Sequence, residues 1–388
     1  MNKKLGVEIK MKLLIAGDLV PTKTNIDLFN NASVDSLLGE ELLSIWNSAD
    51  IRIFNLETPI TDIENPIDKW GPNLIAPTST INGIKALKPS LITLANNHIL
   101  DQGVQGLIST QELLTKNGIP FVGAGKNVKE ASKPYIISKD GIKVGIYACA
   151  EHEFSIATSN APGANPFDSL NSLDHIQDLK TQCDYVIVLY HGGKEHYRYP
   201  SPYLQKVCRK MAQKGANLIV CQHSHCIGCY EEYNESTIVY GQGNFIFNKR
   251  DNEYWNTGLL INIELKNGGI KFIPITKSEY GTQLATGQAK KDILDAFQLR
   301  SKEILKENFI EHKYLEFARK NIDLYLRQFS GFGKWLSRID RYLLNGKLIN
   351  SKYKRKELLA IQNYIECEAH RELLLQGLED KARADQNE

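Results

Sequence analysis

Nine short apolar runs rich in β-branched residues punctuate the first 275 positions of this 388-residue chain, at 12–16, 51–54, 91–95, 143–149, 185–190, 218–221, 238–240, 259–265 and 271–275. Each is strand-sized, and several are apolar at every position, which predicts strands buried on both faces. Between them, residues 106–116, 172–182 and 201–214 carry apolar side chains at helical spacing. Buried strands alternating with helices predict an α/β layered domain. The last two runs predict an antiparallel hairpin that turns around Asn267 to Gly269.

The pattern stops after Tyr280. From residue 281 to 388 there is no proline, and 20 basic and 16 acidic residues surround heptad-like apolar positions. This predicts a division into a domain over 11–280 and a helical extension over 281–388, with helices at 290–327 and 356–382. The basic stretch between them carries Phe332, Trp335, Leu336, Ile339, Tyr342 and Leu343 on one helical face and Lys334, Arg338 and Arg341 on the other. Such a helix lies on an anionic membrane surface, on its own domain, or on a partner such as a polymer synthase.

Global charge assigns no partner class, since 47 Lys and Arg face 45 Asp and Glu. No nucleic-acid motif stands out. No window reaches the ~18 consecutive apolar residues of a membrane span, and the amino terminus lacks a secretory pattern. Seven cysteines, an odd number scattered along a long chain, do not read as a disulfide framework. The expectation is a cytoplasmic protein with reduced thiols, peripheral to a membrane if the basic helix touches one.

The side chains that end the strands carry more information. Asp18 follows the first run, Asn55 and Glu57 the second, Asn97 and His98 the third, His191 the run at 185–190, and His223 with His225 the run at 218–221. In open α/β sheets, ligands bind outside the carboxyl ends of strands, so groups ~200 residues apart can meet in one crevice. Mixed oxygen and imidazole donors suit Mn, Fe or Zn better than calcium. On an extended segment, His223 and His225 would present both rings on one face.

These blocks carry a resemblance. AGDLV (16–20), FNLETPIT (54–61), TLANNHILDQG (93–103), GIPFVGAG (118–125), HGGKEH (191–196), QHSH (222–225) and YGQGNFIF (240–247) resemble the bacterial capsule synthesis CapA family, also called the poly-γ-glutamate synthesis family. Its domain is related to the calcineurin-like metallophosphoesterases. The resemblance implies an α/β fold, a four-layer α/β/β/α sandwich with a two-metal centre at one edge, here followed by the helical extension. Carried over by motif, Asp18 binds one ion, Glu57 bridges both, Asn97 and His191 bind the other, and His223 and His225 take one each. His98 would protonate the leaving group of an anionic substrate, a phosphoester or polyglutamate. Two divalent ions would activate water and clamp substrate oxygens. Asp101 is placed either to fix the His98 tautomer or to cap a helix.

The chain departs from the wider pattern at Val20, where metallophosphoesterases place a histidine after Asp-x, so a mononuclear centre is an alternative. HGGKEH and CQHSH replace the family's usual HWGxEY and GHHPH blocks. Cys221, His223, His225, Cys226 and Cys229 also read as a structural zinc site, as a Cys-x-x-Cys redox pair, or as buried free cysteines. Lys194, His196 and Arg198 read either as anion-recognising groups or as solvated loop charges, and Asn244 either as a site residue or as a turn former. The functional expectation is a metal-dependent hydrolase in capsule or exopolymer biosynthesis. Its alternatives are a poly-γ-glutamate amide hydrolase or transferase, and a non-catalytic assembly factor of a polymer synthase.

Overall fold

The computed structural model describes residues 11–248, 252–265 and 268–384. The chain divides into two compact units, the first ending at Glu311 and the second beginning at His312.

The first unit is built on two sheets. One has eight strands, in the order Thr282–Leu284, Gly268–Lys277, Thr257–Leu265, Met11–Leu19, Ile51–Leu56, Leu91–Thr93 and Phe121–Val122, with Asn244–Ile246 paired to Met11–Leu19 off this path. The other has six, ordered Tyr230–Tyr233, Ser236–Tyr240, Leu218–Gln222, Tyr185–His191, Ile142–Ala150 and Tyr135–Lys139. Strand alternation sorts the apolar side chains into layers. Leu13, Ile15, Ile51 and Ile53 from the larger sheet meet Val144, Ile146, Ile187, Leu189, Leu218 and Val220 from the smaller one in a shared core. On the far side of the larger sheet, Leu14, Phe54 and Ile92 pack against Phe29, Leu37, Leu42, Trp46, Ile84, Leu107 and Leu114 of the helical layer. On the far side of the smaller sheet, Val186, Val188 and Ile219 pack against Ile176 and Leu179 of Ser172–Gln182 and Val207 and Met211 of Pro202–Gln213. The result is the expected α/β/β/α sandwich, each buried aliphatic side chain contributing roughly 1.5–3 kcal/mol.

Register positions the site. Asp18 pairs with Asn55 on one neighbour and with Asn244 on another, while Asn55 pairs with Thr93. In the second sheet, His191 lies between Ala150 and Gln222. Ile51 and Ile53 face the inter-sheet core, so strict alternation sends Asn55 and Glu57 the same way; Ile187 and Leu189 do the same for His191. Asp18 needs a further device, because Leu14 and Ala16 face the helical layer. The pairing shifts between Ile15 and Asp18, and past that irregularity Leu19 joins the helical side, which turns Asp18 toward the second sheet. Gly17 sits in this break, where an added Cβ would lie 2.0 Å from the Gly243 carbonyl oxygen.

Several boundaries differ from the sequence reading. Helices Ile26–Asn30, Val34–Leu38 and Glu40–Asn47 had no expectation because each is too short to set a helical period. The turn around Asn267 lies outside the described residues, although its flanking strands pair antiparallel as expected. The composition changes at Gly281, yet Thr282–Leu284 completes the larger sheet and Gly287–Glu303 packs back through Phe297 onto Ile227 and Leu259. Arg300 Nε also donates to the Gly228 carbonyl at 2.7 Å. The helix expected over 290–327 is two, Gly287–Glu303 and Phe309–Phe329, separated by Asn308 in the left-handed region (φ 55°). The helix expected over 356–382 likewise breaks at Cys367, whose ψ of 118° is extended.

The second unit contains Lys334–Tyr342, Lys347–Lys352, Arg355–Glu366 and Glu368–Ala384. Among the described residues, no helix is long and apolar enough to cross a membrane.

Candidate metal centre

At the carboxyl ends of both sheets, Asp18, Asn55, Glu57, Asn97, His98, Asp101, His191, His223 and His225 are all buried. Two clusters of ligand atoms form there. Glu57, His191 and His223 make one and Asp18, Glu57 and His225 the other, with the donor atoms of each within 4.8 Å of one another. Glu57 belongs to both. Its Oε1 is 3.3 Å from His191 Nε2 and 3.9 Å from His225 Nε2. Asn97 joins the first cluster through Oδ1, 3.0 Å from His191 Nε2. No cysteine belongs to either cluster, which leaves the zinc reading of that stretch without a ligand set, and Cys226 and Cys229 are buried free thiols.

The site's polarity is that of a cation cradle. Both Glu57 carboxyl oxygens are buried without a hydrogen-bond partner, an arrangement that costs free energy until something positive meets them. Burial pushes Asp18 up to about 7, helped by the neighbouring Glu57 charge. Burial likewise pushes Glu57 up to about 8. The imidazoles shift the opposite way, because burial disfavours their cationic form: His191 falls to about 4, His225 to about 3 and His223 well below the ordinary value. Neutral imidazoles are the ligating form, and a divalent ion supplies the charge both carboxylates lack. These residues therefore fit the metal centre that their donor chemistry implies.

Second-layer bonds orient the donors. Asn55 accepts from Thr93 Oγ1 at 3.2 Å and Asn96 Nδ2 at 3.1 Å, which directs its own Nδ2 to Asp18 Oδ1 at 2.8 Å. Asn244 Oδ1 lies 2.9 Å from His225 Nδ1; an amide oxygen only accepts, so Nδ1 carries the proton and Nε2 is left to ligate. Asn244 is thus a site residue. Trp255 covers the same imidazole at 4.3 Å between ring centroids. Val20 joins Phe247 and Trp255 in an apolar wall, so no imidazole stands there to complete the Asp18 cluster.

The His-x-His pair does not lie on extended backbone. His223 and His225 are both left-handed, with φ of 76° and 53°, and they serve different clusters. Non-glycine residues held there cost roughly 1–3 kcal/mol each, a strain that surrounding structure must impose.

His98 stands beside the centre. Its Nδ1 donates to Asp101 Oδ2 at 2.6 Å, which leaves Nε2 as the nitrogen for proton exchange. Asp101 also accepts from the Leu74 amide at 2.6 Å, and its bond to His98 supplies the tautomer-fixing contact. A third member was not legible: Lys69 Nζ bonds Asp101 Oδ1 directly and lies 3.3 Å from His98 Nδ1. Glu153 is a further unforeseen neighbour, accepting from Asn97 Nδ2 at 3.1 Å. Of the three loop groups read as anion contacts or as solvated loop charges, Arg198 donates to the Ile227 carbonyl at 3.0 Å, and His196 accepts from Trp255 Nε1 at 2.8 Å. Lys194 remains exposed.

A four-layer α/β/β/α sandwich with a carboxylate, amide and imidazole cluster at its strand ends defines the class. The family described as bacterial capsule synthesis protein PGA_cap matches residues 12–249, and the chain belongs to that family. Among its relatives, the PGA biosynthesis protein CapA of Bacillus subtilis is 29% identical over 271 residues, covering 68% of each chain. The capsule biosynthesis protein CapA of Bacillus anthracis is 28% identical over 249 residues, 62% of this chain and 60% of that one. Solved structures with a partial likeness include a hypothetical protein from Thermus thermophilus, with a TM-score of 0.45, 11% identity, and coverage of 69% of this chain and all of that one. A putative 5'-nucleotidase from Staphylococcus aureus has a TM-score of 0.43 and 10% identity, over 75% of this chain and 58% of that one.

Proposed function

We propose that the chain is a metal-dependent phosphoester hydrolase acting in capsule or exopolymer synthesis. The observation that carries this reading is Glu57, fully buried, shared by two ligand clusters and without a hydrogen-bond partner on either oxygen. Asp18, Glu57 and His225 would hold one divalent ion, and Glu57, Asn97, His191 and His223 the other. Mn, Fe or Zn matches these donors. When bound, such ions lower the pKa of water and neutralise charge on an anionic substrate. The cluster of Glu57, Asn97, His191 and His223 has four donors against three, so a centre holding a single ion would fill it first.

The chain's own residues supply the rest. His98 holds a proton at Nε2 and gives it to the departing oxygen, a general-acid role worth typically 10²–10⁴-fold. Asp101 holds the proton on His98 Nδ1 and so keeps the ring in register. Lys69 holds the second oxygen of Asp101. The wall of Val20, Phe247 and Trp255 keeps water from the His225 side.

The names of the relatives, a PGA biosynthesis protein and a capsule biosynthesis protein, favour a second reading at a polyglutamate amide. A panel of alkyl and aryl phosphoesters beside poly-γ-glutamate, assayed with Mn-, Fe- and Zn-loaded protein, separates the two. Hydrolysis of phosphoesters that is lost in His98→Ala supports the proposal. Turnover of polyglutamate alone would replace it, and a loaded protein inert on the whole panel would leave the assembly-factor role.

A further inference from the structure

Helix Lys334–Tyr342 turns its only acidic residue inward. Asp340 is fully buried, accepting from Arg327 Nε at 2.9 Å and from the Leu348 amide at 2.8 Å. At 100° per residue Tyr342, Arg338 and Trp335 stand opposite Asp340; Ile339, Leu343 and Leu336 continue the arc down one side of the helix, and Lys334 and Arg341 line the other. The apolar members stand in solvent: Trp335 is 78% exposed, Leu343 75% and Tyr342 68%. Arg338 lies 5.9 Å over the Trp335 ring and Arg341 5.3 Å over Tyr342. From Gly331 to Lys356 the sequence has eight Lys and Arg, and Asp340 is its one acidic residue. Every formal charge this stretch shows to solvent is therefore positive.

We infer that this face docks on an anionic lipid bilayer, with the helix lying in the plane of the interface. The chemistry is that of a headgroup zone: Arg and Lys meet lipid phosphates, Trp335 and Tyr342 sit at interfacial depth, and Ile339, Leu336 and Leu343 enter the acyl boundary. The choice of a bilayer over a protein partner rests on charge: eight cations and no solvent-facing acid from Gly331 to Lys356 complement a continuous sheet of headgroup phosphates. The binding stands apart from the chemistry of the metal centre and holds whatever that centre turns over.

The test uses the full chain carrying Trp70→Phe, which leaves Trp335 as the exposed indole, since Trp46 and Trp255 are buried. Vesicles of phosphatidylglycerol with phosphatidylcholine should co-sediment the protein and shift its fluorescence to the blue, and phosphatidylcholine alone should not. Each neutralised cation should weaken binding about fivefold, so Lys334→Gln with Arg338→Gln and Arg341→Gln loses roughly a hundredfold. Trp335→Ala with Tyr342→Ala and Leu343→Ala should abolish the partition, with far-UV circular dichroism unchanged. No binding to anionic vesicles, equal binding to neutral ones, or undiminished binding by the charge variant overturns the inference. So does a lipid-free dimer, seen by sedimentation velocity, that the apolar variant abolishes, because a second copy would then cover this face.

Discussion

Asp101 joins the general acid to a buried cation, and that asymmetry is measurable as stability. Its carboxylate is fully buried and receives three donors, from His98 Nδ1, the Leu74 amide and Lys69 Nζ. The Lys69 side chain is itself only 3% exposed. Asp101→Asn leaves that ammonium in a dry site with no counter-charge, which costs about 3–5 kcal/mol, the penalty for breaking a buried pair from one side. Lys69→Met costs less, about 1–2 kcal/mol, because the carboxylate keeps two donors and the ammonium's desolvation penalty disappears with it. The double variant removes both charges and should be more stable than Asp101→Asn alone, a coupling of about 2 kcal/mol. The assay is urea unfolding of chelator-treated protein followed by fluorescence of Trp46 and Trp255, with Trp70 and Trp335 replaced by Phe. Chelation matters because a bound ion would add its own linkage to the folded state. If Lys69→Met proved as damaging as Asp101→Asn, or the two added without coupling, the reasoning about this triad would fail.

Three further outcomes follow from the same structure. His98→Ala should lower kcat by ~10²–10⁴ on alkyl phosphoesters, and by much less on nitrophenyl esters, whose leaving group needs little protonation; metal content, read by elemental analysis, should not change. Metal binding should release protons in a pH-dependent number. Below their raised values of about 7 for Asp18 and about 8 for Glu57, both carboxyls are protonated in the metal-free protein, while the histidines are already neutral. Calorimetry in buffers of different ionisation enthalpy should count about two protons per chain on filling both sites at pH 6, one from each carboxyl, and almost none by pH 9, with affinity rising across that window; a release independent of pH would contradict it. Gly17→Ala should destabilise the first unit by ~1–3 kcal/mol and weaken metal binding together, because its Cβ would lie 2.0 Å from the Gly243 carbonyl oxygen and displaces Asp18 from Asn244. Unchanged thermal unfolding and metal affinity would show that the strand tolerates the methyl group.

The sequence carried the α/β layering because the strands are buried on both faces and so appear as unbroken apolar runs; the two-sheet sandwich followed from the family resemblance of its motif blocks. It also carried the ends of those strands, where apolar character gives way to Asp18, Glu57 and His191. The half-buried edge strand Tyr135–Lys139 was not legible because Tyr-Ile-Ile-Ser-Lys does not alternate apolar with polar residues, and the helices between Ile26 and Asn47 are too short to set a helical period. Lys69 was hidden for a different reason. It lies in an irregular loop, 32 residues from Asp101, and only the folded chain shows that the two meet. The His-x-His spacing misled because a period-two argument presumes extended backbone, whereas the left-handed φ of His223 and His225 arises from the turn after the strand. The helix boundary at Asn308 shows the same limit: heptad spacing continues across it, but a single left-handed residue ends one helix and allows another to begin.

Everything proposed for the site depends on Glu57 as the donor common to both ligand clusters. Elemental analysis of protein dialysed against Mn, Fe or Zn and then desalted measures this directly, comparing the wild type with Glu57→Gln. Wild-type protein should retain up to two divalent ions per chain, and Glu57→Gln should retain none while keeping its circular dichroism spectrum. Wild-type protein that holds no transition metal, or a Glu57→Gln variant that holds as much as the wild type, would contradict the account.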